Sequence, residues 1–140
     1  MLKQVEAEKS QISIIIPTYN ESENIINILH SIREIIPRNI SSQTIVVDDN
    51  SPDGTGKLVE DYLKNVKKIA DNTIEIIHRK AKNGLGSAIL NGIQQSKGDT
   101  IVVMDCDFSH PPQIIPKLIE SIKKYQYDIA VASRYIKGGK

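Results

Sequence analysis

Short runs of isoleucine and valine alternate along this chain with longer stretches whose apolar residues recur every three or four positions, and this alternation narrows the fold more than any other feature. The runs Ile12 to Ile16, Gln43 to Asp48, Thr73 to His78, Thr100 to Met104 and Asp128 to Ala132 have the length of strands. Their continuous apolar character predicts parallel strands buried on both faces. Between the first two, Ile25, Ile28, Leu29, Ile32, Ile35 and Ile36 share one face of a helix that Pro37 stops. A second helix is expected from Thr55 to Ala70, carrying Leu58, Val59, Tyr62, Leu63 and Val66, and a third from Leu85 to Gln95. A fourth should follow Pro111 and Pro112 and bury Ile114, Ile115, Leu118, Ile119 and Ile122, since proline suits a first helical turn. The order β-α-β-α-β-α-β-α-β is that of an α/β protein with an open, mostly parallel sheet and helices on both faces. No internal repeat, low-complexity tract or linker divides it, so residues 12–140 read as one domain behind a flexible tail at 1–11.

The 140 residues suffice for a core, and a formal net charge of +1 argues against nucleic acid as a partner, which needs a basic field. A single cysteine makes no internal disulfide, which fits a reducing, cytoplasmic setting. The apolar runs fall well short of the roughly 20 residues of a membrane span. The charged start Met1 to Gln11 lacks the apolar core of a secretory signal. No basic amphipathic helix stands out as an anchor, so any membrane association is expected to be peripheral, at the cytoplasmic face, or through a partner.

In open α/β sheets ligands bind outside the carboxyl ends of the strands. Three polar clusters follow strands: Thr18-Tyr19-Asn20-Glu21, Asp48-Asp49-Asn50-Ser51 and Asp105-Cys106-Asp107. One rim should therefore gather five carboxylates. Side chains alternate along an extended segment, so Asp105 and Asp107 should emerge together while Cys106 points into the body. Two hard oxygen donors at one spot suit Mg²⁺ or Mn²⁺ bridging to a substrate's phosphates. A polar turn closing the strand accounts for the same three residues.

The neighbouring segments have structural readings as well. Asn20 suits a helix N-cap, Tyr19 serves a nucleobase or a helix face, and Asp53-Gly54-Thr55 reads as a turn leading into a helix. Asp48 and Asp49 point apart, so one is free to meet a base or ribose while the other ties the backbone. Gly54-Thr55-Gly56-Lys57 lacks the glycine and hydroxyl a phosphate loop needs on either side, and Gly84-Leu85-Gly86 is half of a dinucleotide fingerprint. Arg79, Lys80 and Lys82 form a solvated basic loop on this reading, although backbone N–H groups at the following helix also meet anions. His30 and His78 read as structural. His110 shapes a loop or contacts substrate, and Cys106 is a small buried filler.

In order, Pro17-Thr18-Tyr19-Asn20-Glu21, Val47-Asp48-Asp49-Asn50-Ser51-Pro52-Asp53-Gly54-Thr55, Asn83-Gly84-Leu85-Gly86, Asp105-Cys106-Asp107-Phe108-Ser109-His110-Pro111 and Ser133-Arg134-Tyr135 resemble glycosyltransferase family 2, and within it the polyprenyl-phosphate sugar transferases. The resemblance covers nearly everything from Ile12 onward. It implies the nucleotide-diphospho-sugar transferase (GT-A type) fold and transfer of mannose from GDP-mannose to dolichyl or another polyprenyl phosphate with inversion. By that resemblance Pro17, Tyr19, Glu21, Val47 and Asp49 line the nucleotide, and Asp105, Cys106 and Asp107 meet metal and diphosphate. Asp105 and Asp107 would hold Mg²⁺ or Mn²⁺, and Arg134 would stand near the phosphates. Asp107 and Arg134 would be the residues acting in catalysis, with no general base needed because the acceptor phosphate is already anionic. Two readings remain beside this one: a nucleotide-sugar-binding module without activity, and a transferase using another donor such as UDP-glucose. Cys106 stands where alanine is usual in the family, and Ser109 where some members have glutamine. Relatives continue past the position of Lys140 into acceptor-site elements, so the acceptor part is expected to be missing here, or supplied by a complementing subunit or a membrane-anchoring partner.

Overall fold

The computed structural model describes residues 11–138. The expected tail lies almost wholly outside them, and Gln11 already begins β1 (Gln11–Thr18). The chain continues through α1 (Ile25–Ile35), β2 (Ser41–Asp48), α2 (Thr55–Asn65), β3 (Asn72–His78), α3 (Leu85–Gln95) and β4 (Thr100–Val103), then a 3₁₀ turn at Pro112–Ile114 and α4 (Ile115–Tyr125). The strands form one parallel sheet in the order β3-β2-β1-β4. All four carboxyl ends therefore open on one rim.

Strand alternation sorts the core into two layers. Ile12, Ile14 and Ile16 of β1, Val46 of β2 and Val102 of β4 face one side, where α1, α2 and α4 contribute Ile25, Ile28, Leu29, Ile32, Val59, Ile115 and Ile119. Ile15, Ile45 and Val47 face the other side and meet Ala88 of α3. The second layer is thin because the helix comes very close: a Cβ on Gly92 would stand 2.5 Å from a methyl of Ile15. A polar clamp closes the same side. Ser13 Oγ donates to Gln43 Oε1 at 2.9 Å, and the N–H groups of Lys97 and Gly98 are taken by Gln43 Oε1 and Ser13 Oγ at 2.9 Å each. These bonds seat the turn between α3 and β4 against the sheet.

Three expectations need correcting. The fifth strand, Asp128 to Ala132, does not form. Ile129 and Val131 are exposed, and Ala130 stands beside β4 and α4 across a cavity of about 80 Å³ instead of joining a ladder. The strands are not all buried on both faces: Ile101 and Val103 of β4 remain exposed because α3 packs mainly against β1 and β2. The second helix ends at Asn65, five residues before the expected Ala70, since Val66 turns extended (φ −79°, ψ 140°) and Arg33 Nη2 takes the carbonyl of Lys67 at 2.7 Å.

Candidate functional site

The rim is stitched together strand by strand, beginning between β1 and β2. Asn20 N–H donates to Ser51 Oγ at 3.0 Å, Glu21 N–H to Thr55 Oγ1 at 2.9 Å, and Ser22 N–H to Asp53 Oδ2 at 3.0 Å. Ser51 is held in turn by Asp48, whose Oδ1 accepts its hydroxyl at 2.6 Å. Asp48 is thus a buried supporting carboxylate, the role expected for one member of the Asp48-Asp49 pair. Asp53 also accepts from Thr55 N–H and hydroxyl. Partial burial opposes its ionisation, but these bonds with those from Ser22 outweigh it and hold the carboxyl at about 2. Asn20 is not a helix cap: it adopts a left-handed conformation (φ 58°), and α1 starts only at Ile25. The resulting turn leaves Tyr19 partly exposed and Glu21 half-buried, its Oε2 accepting from Asn24 Nδ2 at 2.9 Å.

The register Asp48↔His78 between β2 and β3 places the next residue of each strand side by side. Those residues are Asp49 and Arg79. Arg79 Nη1 stands 2.8 Å from Asp49 Oδ1, with both side chains more than nine-tenths buried. The N–H direction falls outside hydrogen-bond geometry, so that Asp49 oxygen keeps no aligned donor. Arg79 Nη2 donates to Ser87 Oγ at 2.6 Å, fixing the start of α3. Arg79 is therefore no solvated loop residue, and the sequence reading missed it. No local signal announced the pair, because it depends on β3 lying beside β2 in this register.

Beyond β4 the burial alternation persists although the ladder has ended. Met104 and Cys106 are buried, whereas Asp105 and Asp107 lie outward. Burial pushes the Cys106 thiol up to about 12, with help from the charges of Glu21, Asp107 and Asp105. The charges of both the first and the third cluster are thus felt at Cys106. The loop is shaped by its own side chains. His110 Nδ1 accepts Asp105 N–H at 3.0 Å, and Asp107 Oδ1 accepts Ser109 N–H at 2.9 Å. The Ser109 hydroxyl and N–H hold the Asp107 carboxyl below the ordinary carboxylate range. Among the described residues no group of three or more acidic, histidine or cysteine side chains forms a metal cage. Asp105 and Asp107 fit the other kind of site, in which one or two carboxylates hold Mg²⁺ or Mn²⁺ and water and substrate phosphates complete the shell.

The remaining expected site residues are more scattered. Pro17 is half-buried opposite Val47, which is fully buried against α3 and presents no surface to a ligand. Arg134 is exposed in a turn after the unformed fifth strand. His78 pairs with Glu60 at 2.8 Å and His30 packs edge-on against Tyr62, both structural roles.

Residues 13–140 match the description glycosyl transferase family 2. The chain belongs to that family. It is 42% identical over 130 residues to a dolichol-phosphate mannosyltransferase of Pyrococcus furiosus, covering 93% of this chain and 35% of the relative. It is 37% identical to an undecaprenyl-phosphate mannosyltransferase of Micrococcus luteus, covering 90% of this chain and 49% of the relative. The chain thus spans between a third and a half of the curated relatives it matches. A mannosyltransferase from Pyrobaculum calidifontis, solved with GDP-mannose and Mn²⁺, superposes with a TM-score of 0.71 over 83% of this chain and 33% of its own, at 24% identity. That likeness establishes the GT-A type fold expected from the motifs.

Proposed function

We propose that this chain carries the donor site of a glycosyltransferase that moves mannose from GDP-mannose to dolichyl or another polyprenyl phosphate, with inversion. The observation that supports it most is the outward placing of Asp105 and Asp107 beyond β4, on the rim of the parallel sheet that also carries Tyr19, Glu21 and Asp49. The two curated relatives are named for transfer of mannose to polyprenyl phosphates.

Tyr19 offers a flat face and Asp49 an acceptor for a nucleobase, with Pro17 beside them and Val47 buried beneath as support. Asp105 and Asp107 would hold a Mg²⁺ or Mn²⁺ ion, which neutralises charge on a leaving diphosphate when bound. Asp107 stays ionised at mildly acidic pH because Ser109 supports its charged form. Cys106, un-ionised at neutral pH, fills the floor. In transfer an acceptor phosphate oxygen would bond to the sugar's anomeric carbon as the bond to the diphosphate breaks. Inversion follows from attack opposite the leaving group, and the anionic acceptor needs no base. Arg134 would supply positive charge to the diphosphate. Polyprenyl acceptors would place the reaction at the cytoplasmic face of a membrane, with association peripheral or through a partner. No described helix is long and apolar enough to cross one.

The test is transfer of labelled mannose from GDP-mannose to dolichyl phosphate, run beside a panel including UDP-glucose. Mannosyl lipid is expected, and selective use of UDP-glucose would reassign the donor. Arg134 is held by no hydrogen bond or ion pair among the described residues, which favours a second reading, a donor-binding module without transfer. Donor binding without product would select it.

A further inference from the structure

The loop between β3 and α3 arches over the nucleotide end of the rim. Its base is fixed at both ends. Arg79 N–H donates to the carbonyl of Asp48 at 2.9 Å, while the Arg79 guanidinium reaches the Gly84 carbonyl at 3.3 Å and Ser87 Oγ at 2.6 Å. Gly84 takes an extended positive-φ backbone (φ 90°, ψ 160°) that turns the chain into α3. Between these anchors Lys82 extends to Tyr19, and its Nζ lies 3.8 Å from the centre of the phenol ring. The strand order β3-β2-β1 means that this contact passes over the end of β2, a reach of about 10 Å at ordinary strand spacing.

An ammonium over an aromatic face is held by the ring's quadrupole. At 3.8 Å it is in contact, whereas a stacked base needs about 3.5 Å of its own between them. A base cannot stack on that face while Lys82 stays.

We propose that Lys82 is an affinity-setting residue of the donor site: it occupies the Tyr19 face in the free protein, and a purine base must displace it to stack there. This inference rests on the reading of Tyr19 as a nucleobase platform. It gives the basic loop a role that neither a solvated loop nor a phosphate cradle would supply. Nucleoside binding then has to break the Lys82–Tyr19 contact while the base of the loop stays held through Arg79 to Asp48, Gly84 and Ser87.

The variant Lys82→Met keeps the apolar stem and removes the charge. Titration of GDP and of guanosine into wild type and Lys82→Met should show about two- to fivefold tighter binding of both ligands to the variant, the worth of an exposed cation–π contact. The gain should vanish when both proteins also carry Tyr19→Leu. The contact itself is read without ligand, as loss of the ring-current shift of the Lys82 ε-methylene protons in Tyr19→Leu. Unchanged or weaker binding to Lys82→Met, with GDP binding intact in the wild type, would overturn the inference alone. An absence of GDP binding to both proteins would overturn the nucleotide reading and the inference with it.

Discussion

At the scale of single residues, the Arg79–Asp49 pair is the most consequential contact. Both side chains are buried, so removing one partner strands the other. Arg79→Ala should destabilise the fold by about 3–5 kcal/mol in chemical denaturation, whereas replacing both, as Arg79→Met with Asp49→Asn, should cost less. Equal losses in the two would show that the pair carries no buried charge. Asp53 acts at the surface of the neighbouring seam between the ends of β1 and β2. Its folded carboxyl lies at about 2 against an ordinary 3.8, so its contribution is complete above pH 3.8 and disappears as pH falls through about 2. Asp53→Asn should therefore lower stability at pH 6 and make little difference near pH 2, as followed by thermal unfolding. Cys106, with its thiol at about 12, should resist iodoacetamide at pH 8 in the folded protein and react once unfolded.

At the scale of elements, close approach matters more than propensity. A Cβ on Gly98 would lie 2.5 Å from the backbone nitrogen of Ser13, an atom that cannot step aside as a side-chain end can. Gly98→Ala should cost at least about 1–3 kcal/mol, more than alanine at exposed Gly86, where no atom lies within 4 Å. A denaturant midpoint comparison settles it, and equal midpoints would contradict the packing of the α3–β4 turn. The four helices and first four strands were legible because their periods are local: Ile25 to Ile36 and Leu85 to Gln95 announce themselves from spacing alone. The fifth strand failed because Asp128 to Ala132 has strand composition but makes no ladder with the neighbouring edge strand β4, and pairing is not a local property. Backbone amides of Ile129 and Val131 should accordingly exchange with deuterium far faster than that of Val102, which lies in the ladder with β1.

At the scale of the whole molecule, the parallel sheet explains why distant polar clusters belong together. Once all strands run one way, Glu21, Asp49, Asp105 and Asp107 need only follow their strands to share a rim. That much could be read in advance from the pattern of runs and helices. What could not be read was lateral order. Arg79 meets Asp49 only because β3 lies beside β2 in one register, and Lys82 reaches Tyr19 only because β1 is next in line. Arg134, beyond the last formed strand, has no such neighbour to place it. Donor binding is therefore the property that these rim residues are proposed to provide. Calorimetric titration of GDP-mannose, with and without Mn²⁺, into wild type and Asp107→Ala tests it most directly. Binding that requires Mn²⁺ and is lost in Asp107→Ala is predicted; folded wild-type protein that takes up no GDP-mannose with Mn²⁺ present would contradict it.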